Sequence, residues 1–351
     1  MKPLVSVLIP AYNSEKWLAE TLRSALAQTW DNKEIIVVDD GSKDETLTQA
    51  RSFESAIVKV VAKENEGAAA TRNRAFSLAQ GDYIQWLDAD DLLAPDKISK
   101  QMEAAARSSS TRTLLSGEWG RFMHRPSRAQ FVPSGLWCNL SKAEWLMRKM
   151  EQNAYMQTGS WLVSRELTEA AGPWDTRLLG DDDGEYFCRV LLASDGVRFV
   201  RGAKVYYRRV GGSLSYIGES DRKREAQWIS MELHIKYLRS LDDSRRARAA
   251  CVTYLQNWMG DLYPERLDIF EKAKELSQSL GGHLKVPTLS WKYSWIKTLF
   301  GWKLARHVQR RLRSAKWSIT TCLDRLLSRF QRPVDQARVF GAFGNPVGRS
   351  L

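Results

Sequence analysis

DYIQWLDADD, residues 82–91, is the stretch whose reading decides the fold. Tyr83 to Asp88 is an apolar-leaning run of the length of a buried strand, closed by Asp88, Asp90 and Asp91. Carboxylates a few Å apart repel and raise one another's pKa unless positive charge lies between them. An oxygen-only donor set suits Mg2+ or Mn2+ rather than zinc, and such an ion fills its shell with substrate phosphates and water. The stretch therefore reads as a strand end built for a metal-held diphosphate. Taken alone, it reads equally well as a turn in which Asp90 or Asp91 caps a helix opened by Pro95.

Outward from that strand, residues 4–118 alternate strand and helix patterns. Leu4–Ile9, Glu34–Val38 and Ile57–Val61 are further strands. Helices are expected after the Asn13-Ser14 cap, over Lys43–Phe53, over Ala68–Ala79 and over Pro95–Ala106. The alternation predicts an α/β fold with a mostly parallel sheet flanked by helices. Ligands of such sheets sit beyond the carboxyl ends of the strands. Three of those ends carry polar groups suited to a nucleotide: Pro10-Ala11-Tyr12-Asn13, Asp39-Asp40-Gly41-Ser42 and Asp88-Ala89-Asp90-Asp91. A dinucleotide-dependent oxidoreductase would need GxGxxG after the first strand, where this chain has PAYNSE.

Residues 108–140 are polar and turn-rich and read as a long active-site loop or a domain seam. Lys142–Met150 is a helix, Ser160–Ser164 a short strand, and Arg165 opens another helix. The acidic run Asp181-Asp182-Asp183-Gly184-Glu185 precedes a helix through Leu192, and Val197–Val200 and Ala203–Arg209 return as strands. Trp161 and Trp174 read as packing residues.

With 43% hydrophobic and 27% charged residues, the 351-residue chain can bury a sizeable core, which excludes wholesale disorder. Its four cysteines are widely separated, without CxxC spacing or a Cys/His cluster, so neither a disulfide framework nor a zinc site is expected. That usage fits a reducing compartment. The first apolar run is too short for a signal-peptide core, and no run of about 20 apolar residues occurs. A cytoplasmic location, peripheral on the inner face of a membrane, is expected. The net charge of +12 is concentrated in residues 291–332, where eleven Lys and Arg face the single Asp324.

SVLIPAYN (6–13), VVDDGSKDET (37–46), ENEGAAATRN (64–73), YIQWLDADD (83–91) and the Gly172-Pro173-Trp174-Asp175 … Asp182-Asp183 … Arg189 block together resemble glycosyltransferase family 2, inverting enzymes of the GT-A fold. The resemblance covers roughly residues 1–215. It implies that Pro10, Ala11 and Tyr12 line the uracil pocket of a UDP-sugar, that Asp40 accepts the uracil N–H, and that Arg72 meets phosphate or sugar. Asp88 and Asp90 would be the DxD pair, with Asp90 the direct ligand of Mn2+ or Mg2+. Matching Arg189 to the family's arginine places the base on Asp183. The family's Glu-Asp reads Asp182-Asp183 here, preceded by Asp181, which leaves the register open by one residue. Inversion needs a base on the acceptor side, a charge sink on the leaving-group side, and no covalent intermediate.

The implied activity is metal-dependent transfer of a sugar from a nucleotide-diphosphate donor to a hydroxyl of a glycan or lipid-linked acceptor, as in cell-surface polysaccharide synthesis. A catalytically silent sugar-nucleotide-binding scaffold of the same fold is the alternative. A sugar nucleotidyltransferase is a further one, although its usual Gly-rich, Arg/Lys-bearing loop after the first strand is absent.

The expected organisation is a GT-A catalytic domain over 1–215, divided into a nucleotide-binding half (1–118) and an acceptor half (119–215), followed by a helical region over 216–290. In residues 291–332, Leu304, Val308, Leu312, Ala315, Ile319, Leu323, Leu326 and Phe330 recur at three- and four-residue steps opposite Lys and Arg. That pattern is expected of a basic amphipathic helix in an anionic membrane interface, or of a helix packed over the domain. Nothing in the body of the chain supports nucleic-acid binding. Residues 333–351 read as an irregular tail.

Overall fold

The structure, a computed structural model, describes residues 2–209, 220–288 and 291–328. The expected 215/216 boundary and the tail at 333–351 lie outside the described residues. β1 (Val5–Ala11), β2 (Lys33–Asp39), β3 (Val58–Ala62) and β4 (Tyr83–Trp86) form a parallel sheet in the order β3-β2-β1-β4, closed by the antiparallel β8 (Val163–Ser164). β1 is buried along almost its whole length because helices cover both faces, which is why it reads as a continuous apolar run. α1 (Leu18–Leu26) buries Leu18, Leu22 and Ala25, as its spacing predicts. α2 (Thr46–Arg51) is shorter than expected, because Asp39–Asp44 are spent on the loop that leaves β2. α3 (Ala68–Leu78) and α4 (Lys97–Ala106) match the expected helices.

Residues 108–140 are not one long loop. β6 (Thr113–Phe122) occupies their centre and pairs in parallel with β9 (Gly196–Arg208), in a second sheet ordered β5-β9-β6-β7 with β5 (Leu92–Leu93) and β7 (Gln130–Phe131). The polar turns SSSTR and HRPSR on either side mask a strand whose Leu114, Leu115 and Ser116 are fully buried. β9 is likewise one strand rather than two. Its register slips at Gly117/Glu118, where Arg201–Ala203 bulge out with Gly202 at φ 78°. A Cβ on Gly117 would fall 2.3 Å from the Ala203 carbonyl oxygen, so the close approach requires glycine there. The residues after DADD enter β5, not a helix cap, and α4 starts only at Lys97.

α5 (Lys142–Glu151), α6 (Arg165–Ala171) and α7 (Asp182–Ala193) lie between β7 and β9 in the chain. The acidic run lies in the first turn of α7 rather than ahead of it. Three helices follow, α8 (Asp221–Leu241), α9 (Arg245–Leu262) and α10 (Leu267–Ser279); α9 packs on α5 and α8 on α7. Trp161 and Trp174 are buried, the latter stacked 4.0 Å from Tyr186, in accord with a packing role.

α11 (Ser294–Ser328) is helical apart from a break at Gly301 (φ 80°). Ala305, Gln309, Thr321 and Asp324 form its docked stripe. Asp324 accepts from the His124 N–H (2.9 Å) and pairs with Arg125 (2.7 Å), while Trp302 meets Tyr263 edge-on. The apolar stripe through Leu304, Leu312, Ile319 and Leu323 faces solvent instead, so a helix packed over the domain by that face is not what forms. No helix among the described residues is long and apolar enough to cross a membrane.

Candidate active site

Parallel pairing aligns Ala11 with Asp39, which sets the β1 and β2 ends side by side. Pro10 and Ala11 close β1, and Tyr12 stands 46% exposed beyond it. Asp40 is buried, and both of its oxygens are taken. Oδ1 accepts from Lys63 Nζ (2.5 Å) and the Glu66 N–H (3.0 Å), and Oδ2 from the Gly67 N–H (2.9 Å). Burial alone would push its pKa up, but the ammonium and the amides outweigh it and hold the carboxyl below its ordinary value. The acceptor left over is on Asp39, whose Oδ2 caps the Ser42 N–H at 3.1 Å while its buried Oδ1 has no partner among the described residues.

Arg72 is the hub of the site. It projects from α3 with its guanidinium 4.4 Å from the Trp174 ring, donates from Nη2 to Asp88 Oδ1 (2.8 Å) and from Nη1 to Asp182 Oδ2 (2.7 Å). Although 93 residues separate Asp90 from Asp183 in the chain, one buried guanidinium thus ties the β4 end to the start of α7. Burial would lower its pKa, yet the Asp182 and Asp88 charges raise it above its ordinary value.

At the β4 end, burial and the neighbouring Asp88 push Asp90 up to about 7, against the pull of Arg208. Asp91 is pushed well above its ordinary value by burial and by the Asp90 and Asp88 charges. Its oxygens are already engaged by the Arg208 N–H (2.8 Å) and by Gln157. Arg208 itself is locked between the Trp17 and Phe122 rings, pairs with Glu20 at 2.6 Å and donates to the Asp90 carbonyl at 2.8 Å. Asp88 and Asp90 are the carboxylates that fit a divalent cation. Their donors are all oxygen, and their mutual repulsion is what such an ion relieves. Among the described residues no group of three or more His, Cys, Asp or Glu converges as a metal cage, so the remaining ligands would have to be phosphate and water.

Asp183 accepts the Thr158 hydroxyl at 3.2 Å and is pushed up to about 7 by burial first and then by the Asp182 and Asp181 charges. Asp182 is also raised by burial, with Arg72 opposing. Asp181 belongs elsewhere. Its backbone is left-handed (φ 56°), and its Oδ2 accepts from Ser230 (2.6 Å) and Gln227 (3.4 Å) of α8. Of the three acids, Asp182 and Asp183 therefore join the Arg72 cluster and Asp181 anchors the start of α7 to the helical region.

Sequence reasoning missed Gln157, Thr158 and Arg208. Gln157 and Thr158 lie in a polar segment outside any motif. It is fixed beside β4 because Gln85 binds the Gly159 carbonyl (2.9 Å), Gln101 that of Ser160 (2.9 Å) and the buried Lys97 that of Trp161 (3.1 Å). Arg208 carries no signal of its own either, since Arg209 follows it and Arg201 and Lys204 precede it in the same stretch.

The family model for glycosyl transferase family 2 matches residues 6–169. An uncharacterized glycosyltransferase of Rickettsia typhi is 47% identical over 100 residues, 28% of this chain and 31% of that one. The putative teichuronic acid biosynthesis glycosyltransferase TuaG of Bacillus subtilis is 44% identical over 105 residues, 29% and 42% of the two chains. Glycosyltransferase GlyG of Streptococcus pneumoniae is 28% identical over 61% of this chain and 73% of its own. The chain thus spans about a third of the length of the Rickettsia relative. Among solved structures, S. aureus TarS 1-349 in complex with UDP-GlcNAc superposes with a TM-score of 0.62 over 82% of each chain at 19% identity, a likeness of fold that agrees with the GT-A architecture. Residues 6–169 of this chain thus match the glycosyl transferase family 2 model, with the strand-end carboxylates and Arg72 inside the match.

Proposed function

We propose that the chain is a metal-dependent, inverting glycosyltransferase that moves a sugar from a UDP-linked donor to a hydroxyl of a glycan or lipid-linked acceptor. The observation that carries this reading is the Asp88–Arg72–Asp182 bridge, which holds a donor-side acid and the α7 acids around one site. The relatives' names and the UDP and UDP-GlcNAc complexes of TarS support it. In this reading the uracil lies against Tyr12 beside Pro10 and Ala11, with the Asp39–Asp40 pair beneath it. Asp88 and Asp90 hold Mn2+ or Mg2+, and the bound ion supplies positive charge to the departing diphosphate. Asp183, held by Thr158, takes the proton of the acceptor hydroxyl, and Arg72 sets its positive charge against Asp182 beside it.

Thermal melting with UDP tests the reading. A ligand at about 100 times its Kd stabilises by about 2.7 kcal/mol. UDP with Mn2+ is expected to raise the wild-type melting temperature more than UDP alone. Asp90→Ala is expected to erase the Mn2+ increment together with hydrolysis of the donor. A wild type that neither shifts with UDP nor hydrolyses any common UDP-sugar would refute the reading.

The exposed stripe of α11 supports an anionic membrane surface as a further partner. Trp295, Leu299, Phe300, Ile319 and Leu323 are each more than half exposed on a segment with a single acid, and that acid is turned to the body of the protein. Each Lys or Arg near an anionic surface adds about 1 kcal/mol. The full chain is expected to float with phosphatidylglycerol vesicles, and a Leu299→Ser, Phe300→Ser, Ile319→Ser variant to remain at least tenfold more in the soluble fraction. Equal flotation of the two would rule out this face as the contact.

A further inference from the structure

β6 turns Trp119 and Arg121 to one face, two residues apart, and β9 sets Tyr207 opposite Arg121. Tyr155, from the loop after α5, lies on them with its ring centroid 4.9 Å from that of Trp119, and Trp119 meets Tyr207 edge-on at 6.1 Å. The Arg121 guanidinium is 5.0 Å from the Trp119 ring and 5.7 Å from the Tyr155 ring, and donates to the Tyr155 hydroxyl at 2.8 Å. Burial is graded across the group. Trp119 is a buried floor, Tyr207 is half-buried, and Tyr155 and Arg121 are exposed.

Two features make this more than surface packing. Arg121 has no carboxylate partner among the described residues, so a guanidinium held in place by two rings and a phenol keeps N–H donors to spare. The group is also continuous with the acids of the site. Tyr155 lies two residues before Gln157, which reaches Asp91, and three before Thr158, which bonds Asp183. Tyr207 feels the same acids, its phenol being pushed up by burial and by Asp91, with Tyr155, Asp88 and Asp90 adding to it.

We propose that Tyr155 and Arg121, floored by Trp119 and Tyr207, form the acceptor subsite, and that the acceptor is an anionic glycan. The Tyr155 ring takes the apolar face of a sugar, as amphipathic aromatics do. Arg121 takes a phosphate or carboxylate on the same acceptor through its fork of donors. The inference rests on the glycosyl-transfer reading and adds the class of acceptor to it.

Binding to the full chain tests it, with tryptophan fluorescence as readout and three probes: a hyaluronan tetrasaccharide (uronate), a glycerol-phosphate trimer (phosphodiester) and neutral chitotetraose. At least one anionic probe is expected to bind the wild type at least fivefold more tightly than chitotetraose, and which one binds separates uronate from phosphate. Arg121→Gln is expected to remove that preference and Tyr155→Ala to weaken every probe at least fivefold, with melting temperature as the check on folding. Arg121→Lys, which keeps the charge but loses the fork, is expected to lose most of the preference and serves if the Gln variant does not fold. Binding of UDP by a wild type that binds neither anionic probe, or an undiminished preference in the Arg121 variants, would overturn the subsite and leave the donor reading standing. Failure of the wild type to bind UDP as well would overturn both.

Discussion

Arg72→Ala is expected to abolish turnover and to destabilise the protein by about 3–5 kcal/mol at pH 8, the usual cost of breaking a buried ion pair from one side. Arg72 is buried, forks to Asp88 at 2.8 Å and to Asp182 at 2.7 Å, and lies 4.4 Å from the Trp174 ring. Alanine leaves both carboxylates, with Asp90 and Asp183 nearby, without their common counter-charge. Their remaining escape is to take up protons, so the stability loss is expected to shrink toward pH 5 as they do. Arg72→Lys is expected to recover part of the stability and little of the turnover, because a single ammonium cannot satisfy two carboxylates lying in different directions. Melting curves at pH 5 and pH 8, with donor hydrolysis at pH 8, decide the matter. An alanine variant within tenfold of wild-type turnover would mean that the bridge is not part of the site.

The parallel sheet was legible because its strands are buried on both faces, so Val5–Ala11 and Lys33–Asp39 announce themselves as apolar runs closed by polar ends. The second sheet was not. β6 carries Gly117, Glu118, Gly120 and Arg121 within ten residues, and its partner β9 is broken by a bulge at Gly202, so neither shows a clean two-residue period. The same holds for the site. Motif positions located Asp88, Asp90, Asp182 and Asp183, but the division of labour between neighbours depends on loop geometry that spacing does not encode. Asp40, expected to meet the base, already accepts from Lys63 and two amides, while adjacent Asp39 keeps an oxygen with no partner among the described residues. Asp181, indistinguishable from Asp182 in sequence, is turned to Ser230 by one left-handed residue conformation. α11 shows the reverse case. Its periodicity revealed the apolar stripe, but only the docking of Asp324 on His124 and Arg125 shows which side of the helix stays in solvent.

Asp183→Asn separates chemistry from stability by moving them in opposite directions. In the wild type, kcat/KM is expected to rise with pH through about 7 and then level, because the Asp183 carboxyl must lose its proton before it can accept one, and burial with the Asp182 and Asp181 charges holds it up to about 7. Asparagine is expected to cut turnover by roughly 10²–10⁴, the usual contribution of a positioned base, and to remove that acid limb. The folded-state value lies above the ordinary 3.8, so between the two the native state binds more protons than the unfolded chain. The stability that Asp183 contributes is therefore fullest below about 4 and falls as pH rises toward 7, as the buried charge forms beside its neighbours. The asparagine side chain carries no such charge, so the variant is expected to exceed wild-type stability at pH 8 by on the order of 1–4 kcal/mol and to lose that advantage by pH 4. Pairing donor turnover with denaturant midpoints across pH 4–9 checks both signs. A variant equally or less stable at pH 8 would place Asp183 among acids that ionise in the fold without cost, and a variant within tenfold of wild-type turnover would move the base to Asp182.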